Sequence, residues 1–157
     1  MDDSILEGDR MNKQYWNNRV VSYKDDEEVM IWATGREFKK RYDKMIEDVL
    51  GNFKDCTVVD VACGFGRFCE VFKPENYFGF DFCDEMIKLA HSKYPEYRFE
   101  VQDYNTFDVP EVDVIFNVIS VGSMGINHEM FIEKYKSKAK KAIVSVDGTS
   151  IVISPTQ

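Results

Sequence analysis

The residues able to do chemistry are concentrated in the middle of the chain, each directly behind a short apolar run. Thr57-Val58-Val59 leads into Asp60-Val61-Ala62-Cys63-Gly64-Phe65-Gly66, and Tyr77-Phe78-Gly79-Phe80 ends in Asp81. Asp103 and Tyr104 follow Arg98–Gln102, and Asn117 stands near the end of Val112–Val118. Small residues in a turn let a ligand come close to the backbone. A carboxylate at a strand end, such as Asp81, accepts two hydrogen bonds from neighbouring ribose hydroxyls. The chemistry implied is that of gripping a nucleoside-like ligand.

Other reactive residues carry less. His128 stands just beyond the fourth-strand loop, where it could serve as a general base or simply begin a helix. His91 reads as a surface helix residue. Cys56, Cys63, Cys69 and Cys83 contain no Cys-x-x-Cys pair, which argues against zinc or an iron–sulfur cluster; they read as reduced and mostly buried, with no metal site. Lys134, Lys136, Lys138, Lys140 and Lys141 read as a solvated face.

Strands must deliver the polar positions to one rim. The expected order is a strand over 57–62, a short helix from Arg67 to before Pro74, and a strand over 77–81. A helix follows over Asp84–Lys93, with Met86, Leu89 and Ala90 inward. Strands at 98–102 and 112–118, a helix near His128–Ala139 and a strand at 142–146 complete the alternation. That pattern predicts an α/β fold with a doubly wound, mostly parallel sheet. Ligands in such sheets bind beyond the carboxyl ends of the strands, where strand order reverses. Asp147-Gly148 marks a tight turn, so Ile151-Val152-Ile153 is expected as an antiparallel C-terminal edge strand, giving about six strands.

Residues 1–52 read as an N-terminal helical cap segment and 53–157 as the core of a single domain. Helices are expected over Arg10–Ser22 and through Trp32. Thr34-Gly35-Arg36-Glu37 has the form of a capping box. Behind it Phe38, Tyr42, Met45, Ile46 and Val49 form an apolar stripe, and Gly51 is a stop signal.

Composition bounds the function. The chain has 157 residues, 44% hydrophobic and 31% charged, and fits one globular domain rather than a disordered segment. Its formal charge of −8 disfavours a protein that coats nucleic acid. No apolar run approaches the ~20 residues of a membrane span. The acidic start Met1-Asp2-Asp3 has no apolar stretch behind it, so no signal peptide is expected and the location is read as cytoplasmic.

Taken together, these segments resemble the class I S-adenosylmethionine-dependent methyltransferases. Val58–Phe68 is similar to that family's first motif, Asp-x-Gly-x-Gly-x-Gly. Tyr77–Ala90 is similar to the second, Gln102-Asp103-Tyr104 to the third, and Asp113–Asn117 to the fourth strand. Tyr15-Trp16-Asn17-Asn18-Arg19-Val20-Val21-Ser22-Tyr23 resembles a segment that often precedes this Rossmann-like domain. The resemblance runs from about residue 14 to 147 in the family's order. The nicotinamide fingerprint would need a glycine at 69, where Cys69 stands; a purely structural turn is the other reading.

The resemblance implies S-adenosylmethionine as cofactor, with S-adenosylhomocysteine as product, and gives the residues their roles. Asp60 would help hold the turn, and Ala62, Cys63, Gly64 and Gly66 would line the methionine part. Asp81 would bind the ribose hydroxyls and Phe82 would pack on the adenine. Asp103 would accept from the adenine amino group, with the Tyr104 backbone beside it, and the Asn117 carbonyl would face the methionine ammonium. Tyr15, Trp16 and Arg19 would cap the cofactor. Three positions depart from the family pattern: Ala62 replaces the first glycine, Phe65 is large, and Cys83 stands where Ser or Thr usually caps the helix.

Asn117–Gly125 lacks the Asp/Asn-Pro-Pro-Tyr/Phe and Pro-Cys patterns of base methyltransferases. A small-molecule acceptor is therefore expected, with nucleic acid unlikely. The alternatives are a non-catalytic cofactor-binding subunit and a protein or RNA methyltransferase. One crossover helix and one strand of the family's sheet are missing, so a homodimer or partner chain could complete the acceptor site.

Overall fold

Val58–Val61 is buried at all four positions, as a β-branched run in the middle of a sheet must be. It is β1 in a computed structural model that describes residues 13, 14, 17, 36–118 and 124–156. The other elements are α1 (Arg36–Gly51), β2 (Tyr77–Asp81), α2 (Asp84–Lys93), β3 (Arg98–Val101), β4 (Val112–Val118), α3 (His128–Tyr135), β5 (Ala139–Val146) and β6 (Ile151–Pro155). The strands form one sheet in the order β3-β2-β1-β4-β5-β6. All neighbours are parallel except β5 and β6, which pair antiparallel from Val146↔Ile151 to Ala142↔Pro155. The doubly wound, six-stranded expectation is met, with strand order reversing at β1.

Alternation along the strands divides the core in two. On one face Val58, Tyr77, Phe99, Val114, Phe116, Val144 and Val146 pack with Tyr42, Ile46 and Leu50 of α1 and Met86, Ile87 and Ala90 of α2. On the other, Val59, Val61, Phe78, Phe80, Ile115 and Ile143 pack with Phe131 and Tyr135 of α3. Aromatic side chains stand in both clusters, and burial of apolar area is the dominant favourable term in folding.

The structure corrects three expectations. No α-helix follows the glycine turn; the chain makes only 3₁₀ turns at Cys69–Val71 and Pro74–Asn76. Pro74 excludes a helical Lys73, whose ψ is 143°, and the few residues left after Gly66 are too few to wind a stable helix. In α1 the buried stripe is Tyr42, Ile46 and Leu50, with Val49 partly buried, while Met45 is 54% exposed. At the other end α3 stops at Tyr135, because Ala139 already pairs with Val112. The expected helices over 10–22 and through Trp32, and Thr34-Gly35 of the capping box, lie outside the described residues, apart from helical Lys13, Gln14 and Asn17. Among the described residues no helix is long and apolar enough to cross a membrane.

Candidate functional site

The site is built where β1 ends and its two parallel neighbours carry on. The β1–β4 ladder closes at Asp60↔Phe116, whereas β4 runs on to Val118. Into that rim β1 sends a tight loop in which Ala62, Gly64 and Gly66 have φ of 54°, 58° and 81°. Alanine at position 62 holds the left-handed conformation that glycine adopts freely, at a strain of roughly 1–2 kcal/mol. Gly66 is the position with least latitude. A Cβ there would lie 2.6 Å from two ring atoms of Phe99, which is 3% exposed and has Tyr77 against its ring.

Asp81 ties the loop to β2. Its Oδ2 accepts from the Gly64 amide and its Oδ1 from the Cys83 amide, both at 2.9 Å. Burial pushes its carboxyl up to about 6, against the pull of those amides. One strand away, Asp60 is also buried, and its Oδ2 accepts the Tyr77 hydroxyl at 2.6 Å. Burial pushes Asp60 up to about 7, partly offset by that hydrogen bond, and the charge of Asp81 adds to the rise. Asp60 thus binds the start of β2 rather than a loop amide. Gly79 leaves room for this pair, since a Cβ there would stand 2.7 Å from the Tyr77 hydroxyl and 3.0 Å from the Cys63 sulfur.

The N-terminal part of the chain reaches the same rim. Cys83 makes no side-chain cap bond to α2. Asn17 supplies it instead: its Oδ1 accepts the Glu85 amide at 3.1 Å and the Cys83 thiol at 2.8 Å. Lys13 pairs with Asp84 at 2.7 Å. Behind the loop Arg67 donates to Asp43 of α1 at 2.7 Å. Tyr15, Trp16 and Arg19 lie outside the described residues.

The remaining expected positions divide. Phe82 is partly buried against the first core. Asp103 is exposed after β3, with its Oδ1 taking the Asn105 amide at 2.8 Å. Tyr104 is half-buried, with the Lys134 ammonium 4.7 Å from its ring centre. Asn117 is fully buried, and its amide donates to Ser145 of β5 at 2.9 Å. Ser145 leads to His128, whose Nδ1 is 2.6 Å from the Ser145 hydroxyl and whose Nε2 is 3.0 Å from both Asp147 and Ser150. The Tyr42 hydroxyl of α1 donates to the Asp147 carbonyl.

Sequence reading missed Tyr77, Gly79, Asn17, Ser145 and Ser150 as partners. Only period-two alternation carried a signal, since it sets Asp60, Tyr77 and Gly79 on one face of the sheet. The free cysteines Cys63, Cys69 and Cys83 are buried. Burial pushes the Cys69 and Cys83 thiols up to about 12, away from thiolate reactivity. Among the described residues no three His, Cys, Asp or Glu side chains group as a metal site.

Comparison with known proteins agrees with the fold. A family profile described as a methyltransferase domain matches residues 58–143. Among solved structures the chain is similar to magnesium protoporphyrin IX methyltransferase (ChlM) from Synechocystis PCC 6803 with bound SAM. The TM-score is 0.61 at 15% identity, covering 92% of this chain and 77% of that one. A S-adenosylmethionine dependent methyltransferase from Mesorhizobium loti gives 0.53 at 18% identity, over 65% and 51% of the two chains. DesVI of Streptomyces venezuelae gives 0.52 at 15%, over 78% and 58%. At these identities the likeness is one of fold. No curated protein gives a significant match.

Proposed function

Because the chain belongs to the methyltransferase-domain family of class I, S-adenosylmethionine-dependent type, we propose that it binds S-adenosylmethionine at the carboxyl ends of its central strands. We propose further that it passes the methyl group to a small-molecule acceptor. Asp81 is the observation that carries this reading. Its oxygens take the Gly64 and Cys83 amides, the Phe82 amide is also directed at the carboxylate, and it keeps lone-pair capacity for a ribose hydroxyl at the rim. The positive-φ loop beside it presents backbone rather than side chain, which suits a ligand lying close. The donor set therefore fits the cofactor.

When bound, S-adenosylmethionine supplies a methyl group on a positively charged sulfur, already activated for in-line displacement. The chain's own residues hold and orient. In this reading Asp81 accepts from the ribose, Phe82 packs on the adenine, and Asp103 with the Tyr104 backbone contacts the adenine edge. Ala62, Cys63, Gly64 and Gly66 line the methionine part, the Asn117 carbonyl receives its ammonium, and Tyr15, Trp16 and Arg19 cover it. Alignment and exclusion of water supply most of the rate enhancement in such a transfer. No general base is required unless the acceptor must lose a proton.

A small acceptor is supported by the charge of −8 and by the Asn117–Gly125 sequence. The Synechocystis relative is, by its name, a methyltransferase of a magnesium porphyrin. A second copy of the chain or a partner is the candidate to complete the acceptor side. Calorimetric titration of the purified chain with S-adenosylmethionine and S-adenosylhomocysteine tests the core of the proposal. Micromolar binding of both is expected; binding of neither would overturn it. Labelled methyl recovered in acid-precipitable material instead of small molecules would overturn the acceptor class.

A further inference from the structure

His128 begins α3 at the same rim as the proposed cofactor site, and both of its ring nitrogens have polar partners. Its partners have fixed hydrogen-bonding polarity. An amide nitrogen donates only, so Ser145 accepts from Asn117. The serine oxygen keeps a second lone pair and its own proton, and it stands 2.6 Å from Nδ1 of His128. At the far end the Asp147 carboxylate accepts only, so Nε2, at 3.0 Å, carries the ring proton. The Ser150 hydroxyl, also 3.0 Å from Nε2, donates onward to Asp147 at 3.2 Å. The carboxylate end therefore places a proton on Nε2, with the Ser145 hydroxyl against the other ring nitrogen. The opposite tautomer would set a bare ring nitrogen against a carboxylate.

We infer that His128 is a positioning residue: with a proton on Nε2 it couples Asn117, through Ser145, to the Asp147–Ser150 turn, and so sets the β4 end of the cofactor site. Asn117 and Ser145 are both fully buried, so the loss of a bond within the chain is not made good by solvent. The chain of bonds crosses β4, β5, α3 and the β5–β6 turn, and Tyr42 fastens α1 to that turn. Among the described residues, the groups that meet the ring nitrogens are Ser145 of β5 and Asp147 and Ser150 of the turn. Its Nδ1 half governs Asn117 and its Nε2 half governs the turn.

This inference rests on the cofactor reading, and its test separates the two. Long-range ¹H–¹⁵N spectra of the cofactor-free chain should show His128 with a proton on Nε2; an Nε2 without a proton overturns the relay. S-adenosylhomocysteine titrations should then split two conservative variants. His128→Asn keeps an acceptor where Nδ1 stood and should hold affinity within about threefold. His128→Gln keeps a donor where Nε2 stood and should lose about tenfold, as should Ser145→Ala. A role confined to stability would lower the melting temperatures of all three without that split in affinity, and equal affinities would overturn the inference. A native chain that binds no S-adenosylhomocysteine would overturn the cofactor reading and with it the positioning role, while the Nε2 proton would still be read from the spectra.

Discussion

Two demands meet on the Asp81 carboxylate. It holds the Gly64 and Cys83 amides, and the proposed ligand would use its remaining lone pairs. Charge-assisted bonds of this kind are worth roughly 1.5–3 kcal/mol each. Asp81→Ala should therefore weaken S-adenosylmethionine binding by at least about tenfold in calorimetry, and unchanged affinity would remove Asp81 from the ribose. Gly66 acts at the same scale through space alone. Gly66→Ala combines a φ of 81° with a Cβ 2.6 Å from a buried ring. It should lower stability by about 2–4 kcal/mol in urea unfolding. A loss below about 1 kcal/mol would mean that Phe99 moves freely.

The elements explain what could be read in advance and what could not. The strands were legible because alternation and β-branched content are local, and β2, α2 and β4 fall at their expected bounds. Asp60, Asp81 and Asn117 were legible as rim residues because they stand at or near strand ends. The missing helix after Gly66 was not, since spacing alone does not weigh a proline against a short apolar run. Nor was the partner of Cys83, because Asn17 is 66 residues away and no local pattern joins them. That remote cap is open to measurement. Asn17→Ala should cost about 1 kcal/mol, as the loss of an N-cap does. The cost should fall in the Cys83→Ser background, where residue 83 gains a capping hydroxyl. A double-mutant cycle that shows simple additivity would mean that Asn17 and residue 83 do not share the task.

At the scale of the whole molecule, two carboxylates are buried in a chain whose net charge is already −8. Burial raises Asp60 to about 7 and Asp81 to about 6 from an ordinary 3.8. Between roughly pH 4 and 7 the folded chain therefore holds protons that the unfolded chain has released, so the stability these groups contribute is lost as pH rises through 6 to 7. Asp147 shifts the other way: burial raises it, but hydrogen bonds from Thr149 and Ser150 outweigh that and lower it. Its window lies below pH 4 and does not interfere. The cofactor-free chain should accordingly be more stable at pH 5.5 than at pH 8. Asp60 alone should contribute about 2 kcal/mol of that difference, or roughly 4–8 °C in melting temperature. Asp60→Asn, neutral at every pH, should flatten most of the slope. Ligand binding should run in the opposite sense, because Asp81 must be ionised to accept from the ribose, so affinity for S-adenosylhomocysteine should rise as pH passes about 6. The melting shift produced by saturating ligand should then be larger at pH 8 than at pH 5.5. A ligand shift that is flat across this range, with the cofactor-free slope intact, would place the ribose away from Asp81 while leaving the buried pair as described.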